Sequence, residues 1–251
     1  MQTQYSDKYG ASLDTNILGF LMFSKNIHEP SAPLGFEDNG KKLSINLAIP
    51  VALTGDPVAD KVFENNKKRG YDIQAILDGF CTAALEGHRK VSKGAWVMKK
   101  KAVESIRDMT TVWGPAREKD SLPGKLTDWV VLKATTAPDS TDNGVIAAFD
   151  SSVKPSVRLD VPRPGMPSGD ALLANQNALK ARFHSGDVVV GQVTLRSKHT
   201  VETVYAYARG IEWKAKGLAM SSRTAAASDI DVGDDFEDPG FNDDDSPGPL
   251  D

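Results

Sequence analysis

Two neighbouring runs constrain the fold of this chain more than any other feature. GDVVVGQVTLRSK (186–198) and TVETVYAYARGIEWK (200–214) are rich in β-branched and aromatic residues, and a short polar connection joins them. Such a pair reads as a β-hairpin. Three other stretches offer strands to extend it. KKLSINLAIP (41–50) alternates, with Leu43, Ile45, Leu47 and Ile49 on one face and Lys42, Ser44, Asn46 and Ala48 on the other. Pro50 stops it, and the turn pair Asn39-Gly40 precedes it. TDWVVLKATT (127–136) alternates as well, and NILGFLMFSKNIHEP (16–30) is an apolar run ending at Pro30. The expected strands lie near 17–28, 41–50, 128–136, 186–197 and 201–213.

Between the second and third strands the period changes. VADKVFENNKKRG and YDIQAILDGFCTAALEGHRKV carry apolar residues at spacings of three and four. That predicts two helices, the second capped by Asp72 and facing the core with Ile73, Ile76, Leu77 and Phe80. Residues 93–127 are irregular, basic and broken by Gly and Pro, with AVESIRDM a short helix inside them. ALLANQNALKARF (171–183) predicts another. Strands joined mostly by turns, without regular βαβ alternation, favour a barrel over a doubly wound sheet. The expected class is mainly β with inserted helices (α+β): a five-stranded antiparallel OB-fold barrel. Its domain covers 16–217 with a helical insertion at about 58–118. Residues 1–15 are polar and expected to be loose.

The charge is unevenly placed. The chain has 30 basic and 34 acidic residues, and ten of the acids fall in residues 229–251, beyond the last basic residue, Arg223. Residues 1–228 therefore carry 30 basic against 24 acidic groups, a net of +6, and the terminal segment carries −10. A basic body points to a polyanionic partner, and an acidic segment to something that competes with one. Residues 218–251 have too few large apolar side chains to offset the entropy of ordering and are expected to form a disordered acidic tail.

Little points to catalysis. The single cysteine, Cys81, lies in the apolar stretch AILDGFCTAAL and reads as a small buried hydrophobe. His28, His88, His184 and His199 are scattered, with no HExxH and no Cys/His cluster for zinc. There is no phosphate-binding loop and no GxSxG elbow; PRPGMPSG has glycines at the wrong spacing. The expectation is no enzyme, no cofactor, no metal and no membrane span.

What the chain does carry is cations and aromatic rings interleaved. Lys99, Lys100 and Lys101 follow Trp96 in the basic stretch. On the predicted strands, Trp129 and Lys133 share a parity, Arg196 and Lys198 share another, and Tyr205, Tyr207 and Arg209, with Trp213, share a third. A lysine triplet is usually a solvated face, and a ring on a strand is usually core. Together, though, cations that neutralise phosphates and rings that stack on unpaired bases suit a single-stranded nucleic acid.

At this point the layout resembles a family, the phage-encoded replicative single-stranded-DNA-binding proteins. The resemblance lies in GKKLSINLAIP as an early strand leading into helix, KPSVRLD before the late strands, and FHSGDVVVGQVTL with VYAYARGIEWKAKG as the closing hairpin. The tail GDDFEDPGFNDDD matches in kind, although the chain ends in SPGPLD and not in an aromatic residue. The resemblance implies sequence-independent binding of single-stranded DNA in phage replication or recombination, in the cytoplasm of an infected bacterium. It implies a tail (Phe236, Phe241, Asp243, Asp244, Asp245) that competes with DNA and recruits a polymerase, helicase or primase, and it is compatible with a homodimer. The alternatives are a phage structural or assembly protein with a basic interaction surface, and a small nuclease or annealing recombinase.

Overall fold

The computed structural model describes residues 4–6, 10–29, 42–91, 112–136, 146–152, 157–159, 170–197 and 204–218. Its strands are β1 (Gln4–Ser6), β2 (Gly10–Met22), β3 (Ser44–Pro50), β4 (Trp113–Pro115), β5 (Trp129–Thr135), β6 (Ala147–Asp150), β7 (Val157–Arg158), β8 (Val188–Ser197) and β9 (Val204–Ala215). Among the described residues three helices accompany them: α1 (Pro57–Lys68), α2 (Ile73–Val91) and α3 (Asp170–Arg182).

The predicted hairpin is the frame of the sheet. β8 pairs antiparallel with β9 from Val188–Ala215 to Ser197–Val204, and its other edge pairs with β2 from Ser12–Arg196 to Phe20–Val188. β2 continues to β3, and β3 to β5. The ring then closes: β5 meets β9 in parallel at Thr135–Tyr207. Five strands in the order β2-β3-β5-β9-β8, antiparallel except at the closure, make the expected OB-fold barrel. β4, β6, β7 and β1 extend its edges, and none of the four is predicted by alternation because each is four residues or fewer.

The first strand differs from its expected span. It begins at Gly10, not near residue 17, so residues 10–15 belong to the barrel. The local pattern explains this: Ala11, Leu13 and Ile17 point into the core while Ser12, Asp14 and Asn16 alternate with them. The strand also stops early, at Met22, where Phe23 turns into the left-handed region and Ser24–Ile27 forms a single 3-10 turn. The short helix expected at AVESIRDM and the terminal segment lie outside the described residues.

Inside the barrel, Leu13, Ile17 and Leu21 meet Ile45, Leu47 and Ile49, with Leu132, Val193 and Leu195 filling from the other strands. The interior is tight: a Cβ on Gly191 would come within 2.6 Å of Leu47 Cδ1. α2 joins this core through Ile73, Leu77 and Phe80, and Asp72 caps it, its carboxylate accepting the Ala75 N–H at 3.1 Å. Cys81 is buried there, and burial, with Asp78 nearby, pushes its thiol up to about 12, which disfavours the thiolate.

A second, smaller core sits on the outside of the barrel. α1 lays Val58, Ala59 and Val62 against Leu18, Phe20 and Met22 of β2, with Ala48, Trp129, Val188 and Val190. Asp56 starts α1 by accepting the Val58 and Ala59 N–H groups, with Pro57 in the first turn. This explains why the second half of β2 reads as a continuous apolar run: both its faces are buried. The outer surface is thereby divided. One half is covered by α1, and the other, with Ser12, Asp14, Asn46, Lys133 and Arg196, is polar.

After the 3-10 turn that follows β2, His28 is buried and its Nδ1 has no hydrogen-bond partner. Glu29 beside it pairs with Lys25 at 2.9 Å and with Lys180 of α3 at 3.1 Å. Burial holds the His28 pKa below its ordinary value; Lys180 and Lys25 add to this and Glu29 opposes it. The folded chain thus binds this proton less readily than the unfolded chain. Stability linked to His28 is complete above about pH 6.5 and is lost as the pH falls from there through the lowered folded value. We expect the melting temperature to fall as the pH drops below about 6.5, by roughly 2–4 °C per kcal/mol lost. Thermal melts of wild type and His28→Gln across this range check it: the variant should show a shallower decline, and identical profiles would remove His28 as the cause.

Candidate nucleic-acid interface

The β8–β9 register builds the open half of the barrel surface. Arg196 lies opposite Tyr205 and Thr194 opposite Tyr207. The two tyrosine rings, two residues apart on one strand face, stack with centroids 6.0 Å apart and planes 11° from parallel. The Arg196 guanidinium carbon stands 5.6 Å from the centre of the Tyr207 ring, within cation–π range. Thr194 donates its hydroxyl to Asp14, tying up that carboxylate beside the rings. The closing pair Thr135–Tyr207 brings β5 alongside, and Lys133, two residues back on the same face and exposed, lies opposite Asn46 of β3.

Arg209 is exposed for a different reason. Gln192 pairs with Gly210 and Val193 with Ala208, so Arg209 is the extra residue of a β-bulge. The bulge reverses the facing of the strand as far as Trp213, where a second register shift returns Ala215 to the outer cluster. Val204, Ala206 and Ala208 point inward before it, whereas Ile211 and Trp213 point inward after it. The parity expected to hold Trp213 with Tyr205 and Tyr207 is therefore broken. Trp213 is core: its indole N–H donates to Asp187 at 3.0 Å, and the Arg182 guanidinium covers its ring at 3.4 Å. Arg182 is in turn paired with Asp150 at 2.6 Å. Burial pushes the Asp187 carboxyl above its usual range, against the hydrogen bonds from the His184 amide and the Trp213 indole.

Trp129 is also corrected. It has the expected outer-face parity, but it is only 1% exposed. Its ring packs edge-on to Phe20 at 5.7 Å, and its Nε1–H donates to the Pro123 carbonyl at 2.7 Å. The reason is the cover that α1 and the 116–122 segment place over that half of the barrel, which leaves no ring face for a base. Of the other expected contacts, Trp96, Lys99, Lys100, Lys101, Lys198 and the segment with Phe236, Phe241, Asp243, Asp244 and Asp245 lie outside the described residues. The structure thus brings together Lys133, Arg196, Tyr205, Tyr207 and Arg209. It adds Thr135, half-buried, as a polar neighbour; Ser44 and Asn46 share the outer face by alternation but are buried.

Among the described residues no group of three or more His, Cys, Asp or Glu side chains could hold a metal ion, and no helix is long and apolar enough to cross a membrane. The arrangement offers rings and cations.

No protein-family model matches this chain, and no curated protein matches it. Some solved structures are similar in layout. A single-stranded DNA-binding protein from bacteriophage Enc34, in complex with single-stranded DNA, aligns with a TM-score of 0.37 at 10% identity, over 86% of this chain and 96% of its own. A second structure of the Enc34 protein aligns at 0.36 and 10%, over 91% and 98%. The single-stranded DNA-binding protein gp2.5 encoded by bacteriophage T7 aligns at 0.33 and 12%, over 86% and 97%. The barrel assignment rests on the strand pairings given above.

Proposed function

We propose that this chain binds single-stranded DNA without strong sequence preference and is not an enzyme. The observation that carries this reading is the parallel pair Tyr205–Tyr207 on the outer barrel face, with Arg196 against one ring and Lys133 and Arg209 exposed on neighbouring positions. Half-buried rings beside cations suit bases that have no complementary strand, and every base has a face to stack. A duplex hides its base faces and offers only phosphates to such a surface.

The acidic segment at 229–251 extends the reading. Its ten carboxylates oppose a body of net +6 and compete with phosphate for the same face. Freed by DNA, its acids and Phe236 and Phe241 would recruit a polymerase, helicase or primase during phage replication or recombination, inside the infected bacterium.

The test is a fluorescence titration with single-stranded and duplex oligonucleotides of equal length. The single strand should bind more tightly, with affinity falling on a log–log salt plot by about 0.7 per phosphate neutralised. Equal affinity for the duplex would sink the proposal. Removing residues 229–251 should tighten single-strand binding, most at low salt where screening is least. Unchanged or weaker binding after truncation would leave the binding reading intact and reject the competition.

A further inference from the structure

One carboxylate stands inside the face of rings and cations. Asp14 is exposed on β2, and the registers tie it to the tyrosine pair: Asp14 lies opposite Thr194, and Thr194 opposite Tyr207. The Asp14 side chain leans toward the rings, because its Oδ1 accepts the Thr194 hydroxyl. Thr194 itself is only 1% exposed. Its neighbours on that face are Asp14 and Tyr207 across the strands, and Gln192 and Arg196 along its own. Arg196, the next outward residue of β8, turns its guanidinium to the Tyr207 ring. A negative charge is thus fixed beside a surface that otherwise suits a polyanion.

Such a charge opposes binding if a phosphate passes over it, and favours binding if a base edge meets it. The order of strands separates the two cases. Thr135 of β5, with Lys133 two residues back, lies on one side of Tyr207, and Thr194 and then Asp14 lie on the other. From β5 to β2 is three strand spacings, about 14 Å. A strand whose phosphates follow Lys133 and whose bases stack on the tyrosine rings turns its base edges toward Asp14. An ionised carboxylate accepts hydrogen bonds and donates none. Cytosine and adenine offer it an exocyclic amino group, as does guanine, whereas thymine offers the O4 acceptor in that place.

We infer that Asp14, aimed by Thr194, selects bases that carry an amino group over thymine and keeps the phosphates on the Lys133 side of the tyrosine pair. This deepens the single-strand-binding reading above and rests on it; the preference is for base composition, and the order of bases stays unread. The test is a fluorescence titration at neutral pH with oligo-dC and oligo-dT of equal length, two pyrimidines of similar stacking area. Wild type should bind oligo-dC about five-fold more tightly. The ratio should hold across a salt series, because both oligonucleotides carry the same phosphates. Asp14→Asn still accepts the Thr194 hydroxyl and gains an N–H that can donate to thymine O4, so the ratio should shrink to within about two-fold, mainly through tighter oligo-dT binding. Glu64→Gln, which removes an exposed charge on α1, should leave the ratio as in wild type. Thermal melts accompany each variant. If Asp14→Asn melts lower, Thr194→Val decides instead: it keeps the charge, removes the hydrogen bond that aims it, and should narrow the ratio in the same direction. If wild type binds duplex as tightly as single strands, the functional reading falls and this inference with it. If wild type prefers single strands but binds oligo-dC and oligo-dT alike, Asp14 alone is rejected. If Asp14→Asn tightens both by the same factor, the carboxylate only repels phosphate, and the inference is likewise overturned.

Discussion

Replacing Tyr205 and Tyr207 together by alanine is expected to weaken single-strand binding by at least about 30-fold while leaving the barrel folded. The estimate takes the lower end of about 1–3 kcal/mol for each stacked base, counted twice. The rings belong to the outer face, and both are only half-buried, so the interior loses nothing. What the fold does lose is their contact with each other and with Arg196, worth roughly 0.2–1 kcal/mol per cross-strand pair. The melting temperature should move by only a few degrees. Anisotropy titrations and calorimetry on the same preparations decide the matter. A fold-loss without an affinity loss would make the pair structural. Lys133→Gln and Arg196→Gln are the contrasting cases, since each removes a phosphate contact and should lower the salt slope by about 0.7. Arg196→Gln should in addition cost some of the stacking, because its guanidinium lies against Tyr207.

Trp129→Ala should do the opposite, with the larger effect on stability. Truncating a buried tryptophan or phenylalanine costs about 3–5 kcal/mol through lost burial and the cavity left behind. Here the loss includes the edge-on contact with Phe20 and the hydrogen bond to the Pro123 carbonyl, which is left facing that cavity. At roughly 2–4 °C per kcal/mol, the midpoint should drop by about 10 °C. Measured well below that midpoint, single-strand affinity should stay within about two-fold of wild type. A variant that melts normally but binds poorly would return Trp129 to the interface. Trp129→Phe should cost less, keeping most of the apolar contact and losing only the N–H donor.

These two residue sets looked alike before the fold was known. Trp129 and Lys133 share a strand face by parity, as Tyr205 and Tyr207 do, and in each case the face is the outer one. Parity could not tell that α1, which starts seven residues after β3, folds over the Trp129 end of β5 and leaves the Lys133 end open. Trp213 failed for a more local reason. A single extra residue at Arg209 inverts the facing of the strand from there to Trp213, and nothing in VYAYARGIEWK marks the bulge except the Arg-Gly step. Phe23 sits in a run that reads as strand to residue 28, so neither its turn nor its exposure was legible.

The sequence by itself determined that this chain builds a barrel from five strands, how the side chains of β3 and β5 divide between two faces, where α1, α2 and α3 lie, and that its body is basic and its terminal segment acidic. These follow from residue spacing, turn residues and charge, which act over a few positions. Only the tertiary structure decided which outward residues stay open. Closure at Thr135–Tyr207 joins strands about seventy residues apart, α1 covers one half of the surface, and a bulge turns Trp213 inward. Alternation states which face a side chain occupies. What covers that face comes from distant segments, through packing that no local pattern encodes.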